Sequence, residues 1–594
     1  MPSMFSEAPD LDVLIVGTGF SGIYLLHHLR KLHFNVKAIT ASSELGGVWN
    51  HNTYPGSRVD IEVPTYELDI EELWNHPEGG WVWSERFPGR DELQKYFRFV
   101  DKRLDLSRDC VFDTWIDSAA WDDEERKWKV RASDGRTWTA RFFIPCVGYA
   151  AKPLIPRIKG LDDFQGQWTH TASWPKEGID LEGKRVGVVG TGASGVQVIQ
   201  TIASIVKNLT VFQRTPATAI PMQQRPLRPE ESTRSSLSEK SKFFTHRKSQ
   251  WDGAKGCPVP RSAKGDSPSQ RQTEWSRLWN EGGFAFWTSN YMDTFSDQES
   301  NDLIYEEWKQ RVRERIHDPQ NQELLAPSQQ PYAFGTKRIP LEEKFYESFN
   351  LPHVDLINLH STPILKATTS GLLLLLQNPT PSTITIPLDI LILATGFDIS
   401  LGPLLQMSIR GTSSLSLSQK WAPTSPLRTY LGLSLSSFPN LLFPYGPQSP
   451  SNTCNGPVCA EIQGSFILDL LVFMRDTGKT RFEPEQDAET MYSDLVRSFL
   501  KESLFEGTQS YYWGDNLLGD SSDDDDDEEE AQLHHLHEEN NNKHDKKSES
   551  TISPHKPTRT KRIREPLFWF AGLPAYIEKL EEVKRDGWKG FQFE

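Results

Sequence analysis

The sequence predicts an α/β fold with two domains built on mainly parallel sheets, the second interrupted by a mainly helical insertion. Three features predict it: a glycine-rich turn near residue 17, a second turn of the same form near residue 190, and a continuous apolar strand near residue 390. In the first, the run Val13-Leu14-Ile15-Val16 leads into Gly17-x-Gly19-x-x-Gly22, and a helical pattern follows at once. This strand–turn–helix order is what a Rossmann-like dinucleotide-binding unit requires. Gly17 permits the tight turn, Gly19 lets the main chain approach a pyrophosphate, and Gly22 lets helix and strand pack closely. The helix that begins at Phe20 offers free N–H groups to the phosphates.

The pattern returns as Gly190-Thr191-Gly192-Ala193-Ser194-Gly195, again between an apolar strand and a helical stretch. Two such units in one chain predict two bound dinucleotides. A carboxylate at the end of the following strand commonly holds a ribose hydroxyl. After the second unit, that strand ends in Arg214 and Thr215. A guanidinium and a hydroxyl suit a 2′-phosphate, which predicts NADPH over NADH. Residues 221–330 are rich in Gln, Arg, Ser, Glu and Trp, with amphipathic periodicity near Asn301 to Ile316, so a helical insertion is expected. The apolar run within Leu388–Asp398 suits a strand covered on both faces. Its turn, Ala394-Thr395-Gly396, is expected to bring backbone N–H groups to a cofactor.

The expected domain order starts with a first dinucleotide domain over 1–155 and the second over 156–220, followed by the helical insertion, 221–330. The second domain then resumes over 331–388 and the first over 389–519. Residues 520–566 are low-complexity and expected to be disordered, and 567–594 rejoin the folded body.

The net charge of -16 is concentrated: Asp520 to Ser550 carries 13 acidic and 3 basic residues. The body is therefore only mildly acidic, and no basic field draws it to nucleic acid. The cluster Lys556, Arg559, Lys561, Arg562 and Arg564 reads as a solvated linker that balances the acidic run. No apolar run approaches the roughly 18 residues of a membrane span, and the N-terminus lacks a secretory pattern. Five cysteines do not make a disulfide framework, so a reducing, cytoplasmic setting is expected. No metal site is expected, since His534, His535 and His537 lack a folded cage.

Longer motifs narrow the chemistry. One is Phe164-x-Gly166-x-x-x-His170-x-x-x-Trp174-Pro175. Another is Gly46-Gly47-x-Trp49-x-x-x-x-Tyr54-Pro55-Gly56-x-x-x-Asp60, and a third runs from Asp389 through Ala394-Thr395-Gly396-Phe397. In these segments the sequence resembles the Baeyer–Villiger monooxygenases, a class of flavoprotein monooxygenases. The resemblance implies FAD in the first domain and NADPH in the second. Oxygen would add to the reduced flavin, and the resulting flavin peroxide would attack a ketone to give an ester or lactone. It also implies that Arg338, after Lys337 in Phe334-Gly335-Thr336-Lys337-Arg338, stabilises the negative charge, and that Asp60 orients Arg338. Lys337 would join Arg214 and Thr215 around the 2′-phosphate. Trp49 and Tyr54 would pack near the flavin, and His170 would hold an interdomain linker by hydrogen bonds. Partners are then O2 and a small-molecule ketone, on a monomer or weak homo-oligomer.

Two alternatives stay open: a nitrogen- or sulfur-oxidising flavin monooxygenase, and a degenerate binding protein. Trp174-Pro175 favours the first reading over the former; the intact glycines, Asp60 and Arg338 speak against the latter. Cys454 and Cys459 resemble a redox pair, but they lie over 400 residues after the first glycine loop, so no dithiol role is expected. The chain also departs from the family pattern. Thr40 stands where an acidic residue usually holds the FAD ribose. Ser510 to Asp520 has Tyr511 for the usual tryptophan and lacks the usual Pro and Lys.

Overall fold

The computed structural model describes residues 10–228, 231, 237–377, 381–452, 454–515 and 563–594. The expectations for the acidic run, its histidines and the end of the 510–520 segment fall outside the described residues.

The strand Leu11–Val16 is buried in the middle of a seven-stranded sheet. It pairs in parallel with Val36–Ile39 on one side and Thr137–Pro145 on the other. Beyond Thr137–Pro145 the sheet continues antiparallel through Lys127–Ala132 and Ile116–Asp122. The second sheet is all parallel, in the order Val354–Asn358, Asn208–Gln213, Arg185–Val189, Ile390–Leu393, Gln167–His170. Ile390–Leu393 is fully buried, as its continuous apolar run predicts.

Two expectations need correcting. Ile390–Leu393 hydrogen-bonds within the second sheet, so the chain returns to the first domain after this strand and not at 388/389. The motif around His170, expected on an interdomain linker, begins as the edge strand Gln167–His170 of the same sheet. Gly166 is needed because a Cβ there would lie 2.4 Å from the Phe164 ring and 2.5 Å from the Asp389 carbonyl. Asp389 in turn grips Arg185, with Nη2 to Oδ1 at 2.6 Å and the backbone N–H to Oδ2 at 2.8 Å. These bonds hold its carboxyl down to about 2. This aspartate thus ties together the starts of two central strands.

The insertion is helical, as expected, with Leu237–Lys248, Pro268–Glu281, Gln298–Arg313 and Pro319–Leu325. Fully buried Arg247 pins it to the first domain: Nη1 donates to the Thr65 and Glu67 carbonyls at 2.7 and 2.8 Å, and Nη2 pairs with Glu461. A buried ion pair of this kind is costly to break from one side. Glu461 belongs to the helix Gly456–Asp476. Contrary to the expectation from run lengths, this helix is long and apolar enough to cross a membrane. However, 78% of its apolar window is buried inside the protein, and it packs against the helix Phe20–Lys31. Gly464 permits that approach, since a Cβ would sit 2.6 Å from the Tyr24 ring. The C-terminal segment rejoins the body through Phe591–Phe593, paired with Phe482–Pro484.

Candidate active site

The two glycine loops have the same wiring. Gly17 N–H donates to the Ile39 carbonyl at 2.7 Å and Gly190 N–H to the Phe212 carbonyl at 3.0 Å. Their φ angles are +103° and +104°, a left-handed region that favours glycine. Gly22 and Gly195 are closed to any side chain, because a Cβ would lie 2.0 and 2.2 Å from the Gly17 and Gly190 carbonyl oxygens. Gly192 faces open space, whereas a Cβ on Gly19 would meet Gly47 Cα at 3.7 Å. That is an ordinary contact, but a Cβ on Gly47 would lie 2.9 Å from Gly19 Cα, so it is Gly47 that lets the two turns approach. Neither loop helix has a side-chain N-cap, so first-turn N–H groups remain for phosphates. Beside the first loop, the buried Thr18 hydroxyl has no partner among the described residues. These residues fit two dinucleotides.

A cavity of about 660 Å³ runs from the first glycine loop, past Thr40, Ser42, Gly47, Trp49 and Asp60, to Arg338. Thr40 is buried, and its hydroxyl accepts the Ser42 N–H at 3.3 Å. The Ser42 hydroxyl meets His51 Nε2 at 2.7 Å. Hydroxyls and an imidazole thus stand where the resemblance leads to the expectation of a carboxylate. Neutral hydrogen bonds are weaker than charge-assisted ones. Thr40→Glu is expected to tighten FAD binding roughly tenfold, measured by flavin fluorescence on titrating apoprotein. Unchanged or weaker binding would remove Thr40 from the ribose site.

Arg338 is held by a built turn. Fully buried Asn301 of the insertion accepts the Phe334 N–H at 2.7 Å, and Trp287 Nε1 donates to the Gly335 carbonyl at 3.1 Å. Thr336 meets Thr508 hydroxyl to hydroxyl at 2.8 Å. The guanidinium pairs with Asp60 through Nη2 and donates from Nη1 to the Asn452 carbonyl at 3.1 Å. It also lies 4.9 Å from the Phe284 ring centre and 5.8 Å from that of Trp287. Burial opposes its charge, but the Asp60 carboxylate holds it well above the ordinary arginine range. The site therefore contains a permanent cation with a fixed orientation.

At the second domain, Arg214 and Lys337 come together. Burial, then the Arg214 charge, push the Lys337 ammonium below its usual range, against the pull of Asp515. Lys337 lies over the Tyr332 ring at 4.7 Å. Thr191 bonds the Thr215 carbonyl at 3.3 Å, which shapes the same strand end.

Other predicted residues have different surroundings. The Tyr54 hydroxyl donates to Gln197 Oε1 at 2.8 Å and receives the Ser194 hydroxyl at 3.3 Å, so it joins the two domains as well as lining the cavity. The Thr53 hydroxyl donates to the Trp174 carbonyl at 3.1 Å, tying that joint to the edge-strand motif that Pro175 ends. His170 Nδ1 accepts the Ala172 N–H at 3.0 Å, which leaves the proton on Nε2. Burial lowers its pKa, against a smaller pull from the Gly396 backbone. His170 is thus a neutral brace at the strand end. Ala394 gives its N–H to the Val189 carbonyl at 2.9 Å, Thr395 its hydroxyl to Leu154 at 2.7 Å, and Gly396 accepts from Leu154. Ala394 thus has no free N–H to offer a cofactor, and its carbonyl backs the second glycine loop, where a Cβ on Gly190 would lie 2.5 Å from it. Cys454 and Cys459 are free and buried; burial, then the neighbouring Cys459, holds the Cys454 thiol well above its usual range. Sequence reasoning missed Tyr149, Asn452 and the aromatic wall that includes Phe295, Phe505, Phe568 and Phe570.

Comparisons with known proteins agree with this geometry. A family model described as NAD(P)-binding Rossmann-like domain matches residues 15–76. Another, described as L-lysine 6-monooxygenase/L-ornithine 5-monooxygenase, matches residues 81–249. The chain is 38% identical to cyclopentanone 1,2-monooxygenase of Comamonas sp. (strain NCIMB 9872), over 98% of this chain and 96% of that protein. It is 35% identical to acetone monooxygenase (methyl acetate-forming) of Gordonia sp. (strain TY-5), over 86% and 93%. Among solved structures, OTEMO in complex with FAD and NADP superposes with a TM-score of 0.85 at 29% identity, covering 99% of this chain and 100% of that one. With matches along nearly the whole length, and with a cation–carboxylate pair set between two glycine loops, the chain belongs to the Baeyer–Villiger monooxygenases.

Proposed function

We propose that this chain inserts one atom of O2 beside a ketone carbonyl, giving an ester or lactone, with FAD as bound cofactor and NADPH as reductant. The observation that carries this is the Arg338–Asp60 pair lining the same cavity as the first glycine loop. When bound and reduced, FAD supplies the activation of O2. The protein's own contribution is electrostatic. Attack on a ketone carbon turns a neutral carbonyl oxygen into an oxyanion, and a fixed cation stabilises that charge most in the transition state. Asp60 keeps the guanidinium in place, while the Asn452 carbonyl fixes a second edge. The aromatic wall excludes water and presents an apolar surface to the ketone's carbon skeleton. Arg214, Thr215 and Lys337 would hold the 2′-phosphate of NADPH.

Free cysteines at all five positions suit a reducing cytoplasm as the place of action. The 81–249 family match gives a nitrogen-oxidising reading some support. Oxidation of a nitrogen lone pair passes through no tetrahedral oxyanion formed from a carbonyl, however, and leaves the buried cation without that task. A panel of ketones, amines and heteroaromatic nitrogens separates the readings, scored by NADPH use together with a mass gain of one oxygen. Esters or lactones from ketones are expected. Oxygen gain confined to nitrogen substrates would overturn the ketone reading.

A further inference from the structure

We propose that Tyr149 is a further catalytic residue whose hydroxyl donates a hydrogen bond to the ketone oxygen; this rests on the ketone-oxidising reading above. Tyr149 follows the strand Thr137–Pro145, at the carboxyl end of the parallel strands, where open α/β sheets place their ligands. It lines the cavity that Arg338 lines. Its position is fixed: the Tyr149 carbonyl accepts the Ser400 N–H at 2.7 Å, and its ring stacks on Tyr445 with centres 5.4 Å apart and planes at 25°. Tyr445 is itself anchored, its hydroxyl donating to the Cys454 carbonyl at 3.0 Å and its N–H to Gln463 at 2.8 Å.

Buried tyrosines normally spend their hydroxyl on a partner. Tyr445, Tyr492 and Tyr576 each donate to a main-chain carbonyl, at 3.0, 2.8 and 2.7 Å. Of the other cavity tyrosines, Tyr54 donates to Gln197 Oε1 at 2.8 Å, Tyr512 packs edge-on against the Tyr511 ring at 4.7 Å and Tyr66 against the Trp49 indole at 5.8 Å. The Tyr149 hydroxyl has no hydrogen bond among the described residues, and the charges acting on it are those of Arg338 and Asp60. Burial outweighs the pull of Arg338 and raises its pKa, so it stays protonated and able to donate.

A second observation puts a polar ligand atom at this end of the cavity. Asn452, whose carbonyl bonds Arg338, is 2% exposed, yet neither its amide nitrogen nor its amide oxygen has a partner among the described residues. An unsatisfied buried amide is costly, so the wall beside Arg338 is built to face polar atoms that the folded chain does not supply. A ketone oxygen is such an atom. The Tyr149 bond to it strengthens as the oxygen gains negative charge. The proton stays on the phenol throughout, so no atom is transferred and the residue acts through the transition state alone.

Tyr149→Phe keeps the ring and its stack on Tyr445 and removes only the hydroxyl. In the full-length enzyme loaded with FAD, kcat for ester formation is expected to fall about 100-fold with KM for the ketone changed less than about threefold. FAD content and NADPH oxidation without ketone stay at the parent level, and more hydrogen peroxide is released per NADPH consumed. A kcat within about twofold of the parent, with unchanged coupling of NADPH to ester, would overturn the assignment. So would an equal loss of NADPH oxidation without ketone, which would place Tyr149 in flavin reduction. A parent enzyme that forms no ester from any ketone overturns the ketone reading and this inference together. Ester from the parent and equal ester from Tyr149→Phe overturns this inference alone.

Discussion

Arg338→Ala is expected to lower ester formation by about three orders of magnitude while FAD content and the rate of flavin reduction by NADPH stay near those of the parent. The magnitude follows from what the guanidinium does. It lines the cavity, desolvated yet kept charged by Asp60. In so dry a site, a fixed charge is worth far more than in water. Removing it leaves Asp60 as an uncompensated carboxylate facing the place where an oxyanion forms, so repulsion replaces attraction. The turn that carries Arg338 is held by Asn301, Trp287 and Thr508 through residues 334–336, so the loss should be chemical and not a collapse of the loop. Arg338→Lys should recover only part of the rate, because an ammonium cannot reach Asp60 and the Asn452 carbonyl at once with a planar fork. Stopped-flow flavin reduction and product mass, measured on the same preparation, test this directly. Ester yield in Arg338→Ala within tenfold of the parent would dismiss the role.

Much of this site was legible from spacing, because the constraints that create it are local. A left-handed turn and a helix that crowds its own strand leave only glycine at Gly17 and Gly22, and the same holds at Gly190 and Gly195. Arg338 and Asp60 are 278 residues apart and were paired only through a resemblance; the structure brings them into contact. The parts that stayed hidden depend on long-range packing. Nothing around Tyr149 marks it as facing a cation, since Arg338 arrives from the far side of the helical insertion. The aromatic wall draws Phe295 from the insertion, Phe505 from after the last long helix of the first domain, and Phe568 and Phe570 from the C-terminal segment. The expected boundary at 388/389 failed because a buried parallel strand reads the same in either sheet; its hydrogen bonds to Val186–Val189 decide the matter. The linker reading of His170 came with the resemblance; the edge strand Gln167–His170, four residues long, is too short to show itself by periodicity.

Replacing both Arg214 and Lys337 by alanine is expected to cut the preference for NADPH over NADH, as a ratio of kcat/KM values, by about 100-fold or more. Arg214 ends the strand Asn208–Gln213, while Lys337 comes from the turn that also carries Arg338. Each disfavours the other: the Arg214 charge adds to burial in depressing the Lys337 ammonium. Among the described residues, neither makes an ion pair. Two cations brought together without an anion cost stability by themselves, and a dianionic 2′-phosphate is the group that would repay it through charge-assisted bonds. The depressed Lys337 also sets a direction with pH. An ammonium whose pKa lies below the usual lysine value loses its proton earlier as pH rises, so the preference for NADPH should decline on the alkaline side while NADH use stays flat. Binding of the phosphate pulls that pKa back up, so the decline should appear in kcat/KM, which reports free enzyme, before it appears in kcat. Because Lys337 neighbours Arg338, Arg214→Ala alone is the cleaner variant for coupling: it should lose NADPH preference yet keep ester formed per reduced nucleotide unchanged. An NADPH to NADH ratio that survives both replacements, at every pH, would move the phosphate site elsewhere.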